Sequence, residues 1–220
     1  MSQPVIVAID GPSGSGKSSV SRAVARHFSF QYLDTGSMYR AVTWHMLNRD
    51  IPVSDADKVA AAAQTVEIRP SVDPDAPGIS VGDVDVTAAI REDDVTQAVS
   101  TVSAVPEVRT LMVELQRHIA QEAAQGIVVE GRDITNVVLP QAQVKIFLTA
   151  DPQARATRRA AEVSGDVAAT QDSLLARDHA DSTRAVSPLV KTGDSVEIDT
   201  THLDLSEVVE LVVGLVKDAH

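Results

Sequence analysis

The chain has 220 residues, 44% of them hydrophobic, enough for one α/β domain with a sizeable core and too apolar for wholesale disorder. A formal net charge of -12 with only 3% aromatic residues argues against a nucleic-acid polymer as partner, since such proteins present basic stripes and stacking platforms. The absence of cysteine excludes disulfides, thiolate metal sites and thiol nucleophiles.

Val5 to Ile9 is a β-branched run suited to a strand covered on both faces. It leads into Gly11-Pro12-Ser13-Gly14-Ser15-Gly16-Lys17-Ser18-Ser19, where Gly11, Gly16, Lys17 and Ser18 satisfy G-x-x-x-x-G-K-[ST]. The glycines let backbone N–H groups curl around phosphate oxygens, and a helix start directs its positive end at the same anion. This predicts an ATP-binding loop over Gly11–Ser19, with Lys17 bridging the β- and γ-phosphates and the Ser18 hydroxyl holding Mg²⁺. Val20, Ala23, Val24 and Phe28 then follow at helical spacing.

Gln31 to Asp34 reads as a second strand, and Met38 to Leu47 as a helix. Val66 to Thr87, rich in Pro, Asp and Gly between short alternating runs, predicts a small antiparallel insert. Pro106 opens a helix with Val108, Leu111, Leu115 and Ile119 on one face. Gly126 to Val129, Val144 to Thr149 and Val196 to Asp199 complete the strands. Helices between strands predict a mainly parallel sheet with right-handed crossovers. A last helix is expected near Asp204, with Glu207 placed as in a capping box. The apolar stretch Val208 to Val216 is interrupted by Glu210 and too short to span a bilayer, and MSQPVIVAID lacks the pattern of a signal peptide. A soluble, cytoplasmic and monomeric protein without membrane contacts is the expectation.

The loop by itself does not say where the phosphate goes. A guanine-specific [NT]-K-x-D loop is missing. The nearest candidate for a metal-positioning strand end, Ile127-Val128-Val129-Glu130, closes on Glu and is a poor match to a motor. Transfer to a phosphorylated acceptor needs converging cations, for which bidentate arginine is best suited. Arg40 follows the strand ending at Asp34, and Arg132 with Asp133 follows the strand ending near Val129; strand ends are where ligands sit in such sheets. Arg155, Arg158 and Arg159 share one helical face, as do Arg177, Asp181 and Arg184. Singly each reads as a solvated residue, the pair Arg177 and Asp181 as a surface ion pair, and Arg109 as an ordinary surface position. Their concentration in an acidic protein with 19 Lys+Arg favours an anion site. Another monophosphate kinase, for instance for UMP, and an ATP-dependent regulator remain open on these grounds.

The stretches DGPSGSGKSSVSRAVA, LDTGSMYRAVT, GDVDVTAAIR, VSTVSAVPEVRTLMVELQR, VVEGRDITNVVLPQAQVKIFLTA and ARDHADSTRAVSPL together resemble the bacterial cytidylate kinases, over nearly the whole chain. The resemblance implies a P-loop kinase, α/β with a central parallel sheet flanked by helices, that transfers the γ-phosphoryl group of ATP to CMP and dCMP with Mg²⁺. It implies a single domain: a core of 1–64, 96–150 and 185–220, a CMP-binding insert of 65–95 and a lid of 151–184. By motif position, Thr35, Arg40 and Arg132 hold the acceptor phosphate, and Ser100, Arg109, Asp133 and Arg184 line the cytosine pocket. Tyr39 belongs to the same acceptor set, Arg177 and Asp181 meet the ribose hydroxyls, and Arg158 and Arg159 meet the donor. Lys17, Arg132, Arg158 and Arg159 are then the catalytic residues.

Overall fold

A computed structural model of the chain describes residues 4–163 and 165–219; Met1–Gln3 at the amino terminus, Ser164 in the expected lid and His220 lie outside the described residues. Strand β1 (Val5–Asp10) passes through the glycine loop into α1 (Lys17–Phe28), β2 (Gln31–Asp34), α2 (Thr35–Asn48) and α3 (Ala56–Ala63). Strands β3 (Ile68–Pro70), β4 (Ile79–Val81) and β5 (Val84–Asp85) follow, then α4 (Asp93–Ser103) and α5 (Pro106–Gln121). Strands β6 (Gly126–Gly131) and β7 (Val144–Thr149) precede α6 (Pro152–Val163) and α7 (Val167–Thr183); β8 (Val196–Asp199) and α8 (Leu205–Asp218) close the chain.

The expected α/β architecture is present. Five strands form a parallel sheet in the order β2-β6-β1-β7-β8, and β3-β4-β5 form the separate antiparallel sheet expected between Val66 and Thr87. Alternation along the central strands divides the core in two. Val7 and Ile9 of β1 and Val128 of β6 pack with Val20 and Val24 of α1 and Val212 and Val216 of α8. Ala8, Ile127 and Val129 face the other way, onto Met38 and Met46 of α2 and Val108 and Met112 of α5. Each such side chain fully withdrawn from water contributes roughly 1.5–3 kcal/mol, so the central strands are held from both faces. The chain leaves β1 for β2 on one side and leaves β6 for β7 on the other, so the crevice beyond the carboxyl ends of these neighbours is where a ligand fits.

Two local expectations are corrected. Helix α2 begins at Thr35 rather than Met38, because Asp34 ends the strand and caps the helix at once, its Oδ1 accepting from Ser37 N–H at 3.0 Å. This Asx cap satisfies a first-turn donor without any intervening loop. On α5 the most deeply buried stripe is Val108, Arg109, Met112, Val113, Gln116 and Ala120, with Leu111, Leu115 and Ile119 half-buried beside it. Two polar residues stand in that stripe, which is why hydrophobic spacing points to the wrong centre. The capping box at α8 is as expected: Asp204 Oδ1 accepts from Glu207 N–H at 2.9 Å and Glu207 Oε2 from Asp204 N–H at 2.8 Å.

Candidate active site

The glycine loop follows β1 directly. Gly11 lies at φ +150°, where a Cβ would stand 2.0 Å from the Leu148 carbonyl oxygen of β7. Only glycine lets the chain turn this close to the neighbouring strand. Gly16, at φ +87°, begins α1 with no side-chain cap, which leaves the first-turn N–H groups for an anion. Lys17 is buried beneath the loop, its Nζ donating to Pro12 O at 2.7 Å and Ser15 Oγ at 3.4 Å, while Ser18 and Ser19 are exposed. Burial, and next Arg132, push the Lys17 ammonium below its ordinary pKa, while Glu130 and Asp10 support its charge.

Arginines from three segments gather beside this loop. Arg132, in the turn after β6, donates through Nη1 to Gly11 O at 2.9 Å, through Nη2 to Ser13 Oγ at 2.6 Å and through Nε to Asp181 Oδ2 at 2.9 Å. Arg40 of α2 donates through Nη1 to Ile90 O and Thr96 Oγ1, each at 2.9 Å. Burial lowers Arg40 to about 10, with Arg159, Arg91 and Arg132 adding to the shift against the support of Asp34. Arg177 of α7 is likewise lowered to about 10 by burial and then by Arg132 and Arg40; its Nε is buried without a hydrogen-bond partner. Cations that depress one another in this way are suited to an anion, since a bound phosphate would remove the mutual repulsion. Thr35 stands at the same strand ends, its hydroxyl donating to Glu130 O at 2.7 Å.

A second cluster lies beside it. Arg109, read as a surface position from its spacing, is instead 2% exposed, and Asp133 is 4% exposed. The two are hydrogen-bonded, and Arg109 Nη1 also donates to Ser103 O at 3.1 Å. Arg184 places Nη2 at 3.6 Å from Asp133 Oδ1 and Nη1 at 3.8 Å from Asp181 Oδ1. Arg177 and Asp181 are correspondingly no surface pair, Asp181 being buried against Arg132 and Arg184. The Tyr39 ring lies 5.1 Å from the Arg109 guanidinium carbon, in cation–π range. Ser100 is half-buried on α4, where its carbonyl accepts from Ser103 Oγ at 3.2 Å. The pocket thus joins a carboxylate, two guanidiniums and a tyrosine from α2, α5, the turn after β6 and the end of α7.

The solvated reading of Arg155 is also revised, since it is 4% exposed. Arg155 is a clamp inside the fold, donating to Ser13 O at 2.9 Å, Ala150 O at 3.1 Å and Asp178 Oδ2 at 2.5 Å. Asp178 Oδ1 in turn accepts from Ser13 N–H at 3.2 Å. Arg158 donates to Thr200 O at 2.5 Å and Thr200 Oγ1 at 3.0 Å, and that hydroxyl reaches Ser15 O at 3.3 Å. Arg159 bears on Arg40 instead. One helical face therefore serves three neighbours, because the loop, the β8–α8 connection and the arginine cluster surround it.

Glu130, weighed from sequence only as a poor match to a motor's metal-positioning strand end, also belongs to this region. It is buried at the end of β6, accepting from the Tyr32 hydroxyl at 2.5 Å. Burial, then the nearby Asp34 carboxylate, raise it above its ordinary value, while Lys17, Tyr32 and Ser18 oppose the shift. An acid ending an apolar strand was the available signal. The Ser18 hydroxyl with Glu130 and Asp34 near it makes an all-oxygen donor set, which suits Mg²⁺. Among the described residues no group of three or more His, Cys, Asp or Glu gathers to hold a metal by itself.

Sheet order and phosphate loop define the P-loop α/β class of protein. A gluconokinase from Sinorhizobium meliloti 1021 has the same fold, with a TM-score of 0.51 and 14% identity over 100% of this chain and 95% of that one. The family model for cytidylate kinase matches residues 7–218. A cytidylate kinase from Streptomyces avermitilis is 56% identical over 97% of this chain and 93% of its own length, and one from Mycobacterium avium 49% identical over 99% and 97%. The chain belongs to the cytidylate kinase family and is an enzyme. No helix among the described residues is long and apolar enough to cross a membrane.

Proposed function

We propose that this enzyme transfers the γ-phosphoryl group of ATP to CMP and dCMP, giving ADP with CDP or dCDP. The observation that carries the reading is the buried Asp133 carboxylate between Arg109 and Arg184, beside the Arg40, Arg132 and Arg177 cluster. Cytosine offers an exocyclic amine to a carboxylate, and a ring nitrogen and carbonyl to guanidinium donors. Uracil presents a carbonyl where the amine stood, so its binding leaves Asp133 facing an acceptor.

Thr35, Arg40 and Arg132 take the acceptor phosphate, Arg177 and Asp181 the ribose, and Ser100 and Tyr39 complete the base pocket. Gly11–Ser19 cradle the donor phosphates, with Arg158 and Arg159 on the donor side. The acceptor phosphate is already anionic at neutral pH, so the enzyme's task is alignment and charge neutralisation, not proton abstraction. Lys17 and the arginines spread the charge of the transferring group, and their protein-held positions cost no reorganisation during transfer. Mg²⁺, bound with ATP and held by the Ser18 hydroxyl with Glu130 near it, would supply further charge neutralisation. The insert of 65–95 and the lid of 151–184 enclose the acceptor and the donor. Acting on free nucleotides, the protein needs no polymer or second copy.

The deciding experiment is ADP release from ATP with CMP, dCMP, UMP or AMP supplied separately. Strong stimulation by CMP and dCMP, and weak stimulation by UMP and AMP, is expected. ADP release indifferent to the acceptor would sink the reading. The electrostatics also set a pH dependence. Glu130 supports the Lys17 ammonium while Arg132 and Arg177 oppose it, and transfer needs that ammonium. Glu130→Gln therefore lets Lys17 lose its proton at lower pH. The alkaline limb of kcat/KM for ATP should move toward acid; an unmoved limb would detach Glu130 from Lys17.

A further inference from the structure

Asp10, the last residue of β1, is fully buried; it supports the Lys17 charge from a distance but has no assigned contact with either nucleotide. Its carboxylate reaches the segment that follows Asp133. Oδ1 accepts from Ile134 N–H at 2.9 Å, and Oδ2 accepts from Thr135 N–H at 2.8 Å and Thr135 Oγ1–H at 2.7 Å. These two N–H groups open the wide turn Ile134–Val138, in which Val138 N–H donates to Asp133 O and Leu139 N–H to Ile134 O. Such turns concentrate at functional sites.

An aspartate standing just before a helical turn ordinarily folds back and accepts from the second or third N–H. Asp133 occupies that position, yet makes no side-chain bond to the turn. Its carboxylate points instead at Arg109 and Arg184. Of the two donors open to it, Thr135 N–H is already taken by a carboxylate 125 positions away in sequence. From this geometry we infer that Asp10 is a positioning residue for base selection: by capping the turn in place of Asp133, it keeps the Asp133 carboxylate in the base pocket. The inference rests on the reading of Asp133 as the cytosine-amine acceptor. It also gives the residue ahead of the phosphate loop a task in acceptor choice, in addition to its support of the Lys17 charge.

The test compares Asp10→Asn, Thr135→Val and Asp133→Asn by the ratio of kcat/KM for CMP to that for UMP, with the ATP KM measured alongside. Asparagine can keep the bond to Ile134 N–H, but its amide N–H₂ then faces Thr135 N–H, donor against donor. Thr135 N–H becomes available and Asp133 turns back to it. Asp10→Asn should cut the CMP/UMP ratio by about tenfold or more; any change in the ATP KM reports the lost support of the Lys17 charge, which acts on both acceptors alike and cancels in the ratio. Thr135→Val, which removes the hydroxyl and keeps both N–H bonds, should retain most of the ratio. An intact ratio in Asp10→Asn, or equal losses in Asp10→Asn and Thr135→Val, overturns the inference. If Asp133→Asn also keeps the ratio, the failure belongs to the base-pocket reading itself. Amide hydrogen exchange in the wild-type protein gives a second measurement that needs no variant. Ile134 and Thr135 should exchange as slowly as the central strands, and fast exchange at both contradicts the cap.

Discussion

Lys17→Ala should leave a folded protein whose turnover with ATP and CMP falls by roughly 10²–10³-fold, the usual cost of removing one preorganised group that stabilises transition-state charge. The lysine is 7% exposed, and its ammonium is held by the Pro12 carbonyl and the Ser15 hydroxyl rather than by a carboxylate. Burial and the neighbouring Arg132 both work against its charge in the ligand-free protein. Glu130 and Asp10 support that charge and lose its support in return, so the opposing effects offset and the melting temperature should change little. The loss appears only when phosphates arrive, because Lys17 then meets the charge for which it is held. ADP release measured with CMP, together with a thermal melt, separates the two effects. Near-normal turnover in a folded Lys17→Ala protein would undo the mechanism.

Asp133→Ala should damage both folding and choice of base. Removing one partner of a buried pair strands the other charge, which typically costs about 3–5 kcal/mol. Here Arg109 is 2% exposed, and Arg184 loses the same partner. A lowered denaturant midpoint is therefore expected even without nucleotide. In catalysis the variant loses the acceptor for the cytosine amine, and sites built around such a bond can discriminate by about 10⁴-fold. kcat/KM for CMP should fall by orders of magnitude while that for UMP changes less, bringing the two together. A folded variant that still prefers CMP as strongly as the wild type would remove Asp133 from base recognition. Asp133→Asn is the gentler companion, since it keeps the shape of the side chain while reversing one arm from acceptor to donor.

Much of the architecture was legible because it depends on short-range patterns. Gln31–Asp34, Val144–Thr149 and Val196–Asp199 are strands with the expected bounds. The helix opened by Pro106 and the Asp204–Glu207 box also depend only on neighbours in sequence. Expectations went astray where a polar residue occupies a core position. Arg109 and Gln116 sit in the buried stripe of α5 and displaced its apparent apolar face. Asp34 caps α2 so tightly that the expected turn is part of the helix. Real chains break local rules most often at functional sites, and both departures lie there.

Arg155, Arg158 and Arg159 show the limit most clearly. Their spacing places them together on a helix, but only the packed neighbours decide that Arg155 clamps Ser13 and Arg158 grips Thr200. Nothing local shows that Glu130 and Asp10, each ending a strand, meet Tyr32 and Thr135, 98 and 125 positions away. The phosphate loop could be read directly because eight consecutive residues carry both its conformation and its chemistry. Family membership was legible for a similar reason, through long contiguous motifs. The pairing of Asp133 with Arg109 and Arg184 was a matter for the tertiary structure. Burial makes an unpaired charge costly and a paired one directional, and no local pattern of residues states which charges will be buried together.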